Sequence, residues 1–235
     1  LLPSIFSSGV TQINILVGTI IASFQTGAVS YLYYADRIYQ INLAIAGIAV
    51  GTVSLPALSK AFKIKDLSKV SNIQNKSIEL SLLFSIPASV GLVIAAEEIV
   101  SALFGYGSFT IKDIKMTSMA LMFFGYGVVA FALIKILANF FFARNNTKTP
   151  FYISTFVVVL NILISVIFFN SLGFIIIPIA TSISTWVGII VYMYLLNHEH
   201  ILILQKKLYF NTLKILISSI IMFFVLELGL EKYSN

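Results

Sequence analysis

The chain has 235 residues, 59% of them hydrophobic and only 10% charged, with a mean hydropathy of +0.99. A soluble domain carries about 25% charged residues, so a soluble core is excluded wherever apolar runs also reach membrane-spanning length. Cysteine is absent, which removes a disulfide framework, a cysteine-based metal site and a thiol nucleophile.

A hydrocarbon core about 30 Å thick is crossed by about 20 helical residues, and seven runs of that order follow one another: 4–25, 31–60, 77–104, 116–143, 151–170, 174–197 and 212–229. Helix is the state expected for each, because an open sheet leaves backbone groups unpaired in lipid and the runs lack the alternation of a barrel strand. The predicted class is an all-α integral membrane protein, a polytopic bundle of about seven transmembrane helices. The joints carry turn chemistry: Gln25-Thr26-Gly27, Gly105-Tyr106-Gly107-Ser108, Asn145-Asn146-Thr147 and Asn170-Ser171-Leu172-Gly173. The second run is long enough to include an interfacial turn. Pro87 is expected to kink the third, and residues 60–76 read as a polar connector. With no initiator methionine and no signal peptide, the start at Leu1 reads as the interior of something longer.

The net charge of +6 raises nucleic acid or anionic lipid as a partner, and its distribution selects lipid. Lys60, Lys63, Lys65, Lys69, Lys76, Arg144, Lys148, Lys206, Lys207 and Lys214 fall in one set of loops. The alternate loops hold Arg37, Lys112, Lys115 and Lys232. The positive-inside rule places the first set, and Leu1, in the cytoplasm. Gly47 and Gly51 form a GxxxG, and Ala180, Ser184 and Gly188 a small-residue stripe. Both are expected to let helices pack closely.

Charged residues inside a span are functional hypotheses. Asp36 and Arg37 follow Tyr31, Tyr33 and Tyr34 near the outer end of the second run. They are either an interfacial anchor or cavity charges for an anionic headgroup. As sequence neighbours on a helix they are expected to have different partners. Lys135 interrupts the fourth run and is the third candidate. Glu97, Glu98 and Glu227 read as interfacial. Gln12, Asn14, Asn42, Asn139 and Asn161 read as interhelical hydrogen-bond partners. His198-Glu199-His200 lacks further ligands and reads as a solvated loop rather than a metal site. No P-loop, triad or carboxylate pair occurs, so no enzymatic chemistry, metal or cofactor is expected.

The segment Ser30-Tyr31-Leu32-Tyr33-Tyr34-Ala35-Asp36-Arg37-Ile38-Tyr39-Gln40, followed by residues 47–59, resembles the MurJ/MviN family of lipid II flippases. Gln12-Ile13-Asn14, residues 103–110 and the stretch from Lys135 through Arg144 to Pro150 are similar to the same family in the same order. The resemblance implies about fourteen helices in two six-helix lobes plus two trailing helices, within the superfamily of multidrug and polysaccharide exporters. The runs here then correspond to its seventh to thirteenth helices. Residues 1–200 make the second lobe, and residues 201–235 a cytoplasmic connector with one trailing helix. The first lobe, with the family's main pyrophosphate arginines, is absent. Asn42 and Ala44 stand where the family often has Pro and Gly, so the second span is expected to be straighter.

The resemblance also implies a bacterial inner membrane location and movement of lipid II, an undecaprenyl-pyrophosphate-linked precursor, by alternating access. Its partners would be lipid II, membrane lipids and the missing lobe, not nucleic acid. Arg37 would attract the pyrophosphate, Asp36 would pair with a cation or help gate the outer side, and Lys135 would add positive potential. The chain alone is expected to be inactive. The rival expectations are a related drug or polysaccharide exporter and a non-transporting remnant.

Overall fold

A computed structural model describes the backbone of residues 2–234 and the side chains of residues 12–230. Helix dominates and no strand occurs among the described residues. The helices are α1 (Leu2–Ser23), α2 (Ala28–Leu43), α3 (Val50–Lys63), α4 (Leu67–Ile94), α5 (Ala96–Phe104), α6 (Ile111–Gly125), α7 (Val128–Phe142), α8 (Lys148–Leu172), α9 (Ile176–His198) and α10 (Lys206–Ser234). A π-helical segment, Ala44–Ala49, joins α2 to α3, and a 3₁₀ turn, Gly173–Ile175, joins α8 to α9.

Among the described residues four helical segments are long and apolar enough to cross a membrane, and a bent pair makes a fifth. One of the four, Lys148–His198, doubles back on itself: Asn161 meets Thr181 and Gly188 meets Val157, the pairing of an antiparallel hairpin. Gly173, at φ +60°, makes the reversal. This segment therefore supplies two of the expected crossings, and α1 is the remaining apolar helix.

The interruptions differ from the sequence expectation in four places. Residues 60–76 are not a loose connector: α3 continues to Lys63, three residues turn, and α4 starts at Leu67 with Asp66 capping it through Lys69 N–H at 3.0 Å. The third run is not one helix to Phe104. α4 passes through Pro87 to Ile94, and a break follows at Ala95. Pro87 withholds one backbone donor, and Asn42 Nδ2 reaches the nearby Phe84 carbonyl at 3.2 Å. The second span, expected to be straighter because of Asn42 and Ala44, contains a wide π turn at Ala44–Ala49.

The fourth run is two helices, α6 and α7, bent by 43°. Breaking a helix in lipid frees carbonyls that must find donors. Here Ser182 Oγ donates to Phe123 O at 2.8 Å, Ser89 Oγ to Gly125 O at 2.7 Å and Trp186 Nε1 to Tyr126 O at 3.0 Å. Side chains from α4 and α9 thus stabilise the break. Gly127 is required there, since a Cβ would lie 2.5 Å from Ser182 Oγ.

Two apolar cores fill the bundle. One lies among α2, α5, α6 and the start of α9, around Tyr31, Phe124 and Phe174. The other lies among α3, α4, α7 and the end of α9, around Phe140, Phe141 and Tyr192. The basic loops converge at the second end, where Arg144 lies 3.4 Å from Glu199 and over the Phe62 ring. There Asn75 donates to Ile203 O at 2.8 Å and accepts from Gln205 N–H at 2.9 Å, tying the connector before α10 to α4. At the opposite end Gln25 Oε1 accepts from Phe174 N–H at 2.8 Å, closing α1 on the α8–α9 turn.

Candidate functional site

The GxxxG glycines set the position of α2. A Cβ on Gly47 would lie 3.1 Å from Ala132 Cα, and one on Gly51 2.8 Å from Asn139 Nδ2. Their absence lets the π segment and α3 touch α7, and Asn139 Nδ2 donates to Gly51 O across the contact at 3.0 Å. Farther up, Tyr39 packs on Phe124 and Phe131, and Tyr31 Oη donates to Asp113 Oδ1 at 3.0 Å. Asp113 is itself held in a capping box with Thr110 at the start of α6. One face of α2 and of the π segment and α3 that continue it is therefore fixed from Tyr31 to Gly51.

The other face carries the charges. Arg37 is exposed and its guanidinium sits 4.7 Å from the centre of the Tyr33 ring, one turn earlier. Its Nη1 also makes a long contact, 3.5 Å, to Gln40 Oε1. Gln40 Nε2 in turn donates to Asp36 Oδ2, the half-buried partner. Asp36 and Arg37 form no direct ion pair, yet they share Gln40, which corrects the expectation of separate partners. The i,i+4 spacing of Asp36 and Gln40 carried that signal, as did the i,i+4 spacing of Tyr33 and Arg37. A planar guanidinium with one face on an aromatic ring keeps its edge donors free for a phosphate group, which it binds with two parallel hydrogen bonds.

Lys135 does not join this cluster. Gly47 faces Ala132 and Gly51 faces Asn139 and Ile136, so α7 runs parallel to the π segment and α3 at an offset of about 85 residues. Lys135 is then level with Val50, about 20 Å deeper along the helix axis than Arg37. Its side chain is exposed on the surface of α7 and has no hydrogen-bond partner among the described residues.

The other polar residues divide. Asn42, Asn139 and Asn161 bond across helices, Asn161 to Thr181 Oγ1 at 3.0 Å. Gln12 and Asn14 have no such partner among the described residues. Glu97 and Glu98 are exposed in the first turn of α5. Glu199 pairs with Arg144, and His198 stacks on Tyr194. Among the described residues no three metal-ligating side chains come together.

Among the described residues, two of the cavities that open on the bundle stand out. One, about 600 Å³, lies between the π segment with α3 and α4. The other, about 420 Å³ and almost wholly apolar, lies where α10 crosses α4, α7 and α9.

A family model described as lipid II flippase MurJ matches residues 1–235. A probable lipid II flippase MurJ of Rickettsia prowazekii is 37% identical over 227 residues, covering 96% of this chain and 45% of that protein. The corresponding protein of Rhizobium meliloti is 41% identical over 187 residues, covering 80% of this chain and 35% of that one. Among solved structures, a lipid II flippase MurJ in an inward closed conformation superposes with a TM-score of 0.84 at 32% identity, over 97% of this chain and 47% of that one. An outward-facing multidrug transporter of the MATE family has a TM-score of 0.74 at 17% identity, over 93% of this chain and half of its own, a likeness of fold alone. The chain spans about half the length of the curated relatives it matches. With a multi-pass helical bundle and a family match from end to end, the chain belongs to the lipid II flippase MurJ family.

Proposed function

We propose that residues 1–200 form one of the two bodies that rock against each other in a lipid II flippase, with residues 201–235 as connector and trailing helix. The observation that carries this reading is the Arg37 guanidinium, exposed on the free face of α2, resting on Tyr33 and steered by Gln40. That face meets the pyrophosphate of lipid II. Asp36 holds Gln40 in place and tempers the local positive charge. Lys135, about 20 Å deeper along the bundle, adds positive potential at a second level and so acts at a different stage of transit from Arg37. The basic end faces the cytoplasm of a bacterial inner membrane, in accord with the positive-inside rule.

Alternating access requires two bodies. Residues 1–235 expressed without a second lobe are therefore expected not to restore growth to flippase-depleted cells, and growth without one contradicts the rocking-body reading. In the two-lobed protein, Arg37→Ala abolishes that growth support while leaving the protein in the membrane at its normal level. Normal growth with Arg37→Ala returns Asp36 and Arg37 to the role of an interfacial anchor.

A further inference from the structure

The cavity of about 600 Å³ between the π segment with α3 and α4 shares no lining residue with the Arg37 cluster or with α7. Its lining has a marked polarity along its length. Ile45, Val53, Leu80 and Phe84 make the body, and Lys69, Asn72 and Lys76 follow one another over about 10 Å of α4 toward the basic end. The two hydroxyls in the wall are already committed: Ser54 Oγ donates to Gly51 O and Ser77 Oγ to Ile73 O. The apolar part offers no hydrogen bond of its own.

At the mouth, Lys69 has no side-chain partner among the described residues. Lys76 shares an exposed ion pair with Glu79 at 3.2 Å. Asn72 accepts from Gln205 through Oδ1, which leaves its amide N–H groups for a ligand. The carboxylate nearest Lys69 in sequence, Asp66, is engaged by the Lys69 backbone N–H and the Ser68 hydroxyl. From Lys76 to Phe84 the wall runs about 12 Å along α4, close to the ~15 Å depth of one hydrocarbon leaflet. A charged mouth at one end and an apolar trough one leaflet deep match a molecule with an anionic head and a single-leaflet tail.

We propose that this groove holds a glycerophospholipid with an anionic headgroup, its phosphate at Lys69, Asn72 and Lys76 and one acyl chain between Ile45 and Phe84. The site is separate from the pyrophosphate site at Arg37. Charge complementarity at the mouth selects an anionic over a zwitterionic lipid.

The test is lipid retention by the purified protein, read by native mass spectrometry with phosphatidylglycerol or phosphatidylcholine added. Phosphatidylglycerol is expected to be retained over phosphatidylcholine, with about a fivefold loss for each of Lys69→Gln and Lys76→Gln. Ala57→Trp, which fills the trough, is expected to lower retention of both lipids. Arg37→Gln is expected to leave phosphatidylglycerol retention unchanged, so failure here and failure of the flippase reading are distinguishable. Because Lys69 and Lys76 are exposed, their variants keep the test valid even if the tryptophan variant does not fold. Equal loss from Lys206→Gln with Lys207→Gln, at the same end but outside the groove, overturns the proposal in favour of general charge attraction. Displacement of phosphatidylglycerol by a polyprenyl pyrophosphate overturns it in favour of the substrate lipid.

Discussion

At the scale of single residues, what distinguishes one glycine from another is the atom that faces it. Gly47 looks onto the backbone of Ala132, which cannot yield, whereas nothing lies within 4 Å of a Cβ built on Gly91. Gly47→Leu is therefore expected to lower stability by about 1–3 kcal/mol through overpacking. Gly91→Ala is expected to be neutral or stabilising by up to about 1 kcal/mol, from helix propensity. Thermal midpoints in detergent check both. Asp66 gives a pH-dependent prediction. The Lys69 backbone N–H and then the Ser68 hydroxyl hold its carboxyl below the usual carboxylate range in the folded protein. A carboxyl lowered on folding stabilises at pH above its unfolded value and loses that contribution as pH falls through the folded value. The stability gap between wild type and Asp66→Asn is thus expected to be constant near neutrality and to shrink from about pH 4 downward.

Among individual residues, Arg37 was identifiable as a candidate in the sequence but its setting was not. The tyrosine-rich segment and the charges stood out. The sharing of Gln40 by Asp36 and Arg37 depends on rotamers that pattern does not show. Lys135 was grouped with Arg37 because both interrupt apolar runs. The depth between them became visible only once Gly47 and Gly51 fixed the register of α7.

At the scale of elements, apolar length located the helices and turn residues located most joints. The breaks at Ala95, at Tyr126-Gly127 and the π turn at Ala44–Ala49 were not legible, because hydropathy continues through each. What permits the α6–α7 break is a set of donors on other helices, Ser89, Ser182 and Trp186, far away in sequence. Pro87, by contrast, lies inside a helix that runs on past it to Ile94. The contact of α3 with α7 carries one side-chain hydrogen bond among the described residues, Asn139 to Gly51 O. Asn139→Ala is expected to cost about 1 kcal/mol, the scale of interhelical bonds in membranes, and to leave Gly51→Ala better tolerated than in the parent, because the Nδ2 that a Gly51 Cβ would meet is gone. A double-mutant cycle on thermal midpoints measures that coupling.

At the scale of the whole molecule, the bundle has two chemically different ends. Basic loops are knitted together by Arg144, Asn75 and Gln205 at one. The other is closed by Gln25 and by Tyr31 with Asp113. Between them, one face of α2 is locked against α6 and α7, and the opposite face presents Arg37. The family match covers the whole chain, while the matched relatives are about twice as long, so this bundle is expected to act against a second body rather than alone. The central claim is that Arg37 on that face binds the pyrophosphate of lipid II. Its most direct test is the affinity of the purified protein, paired with its second lobe, for lipid II with and without Arg37→Gln. The account predicts at least about a tenfold loss, the value of a charge-assisted hydrogen bond to phosphate. Unchanged affinity contradicts it.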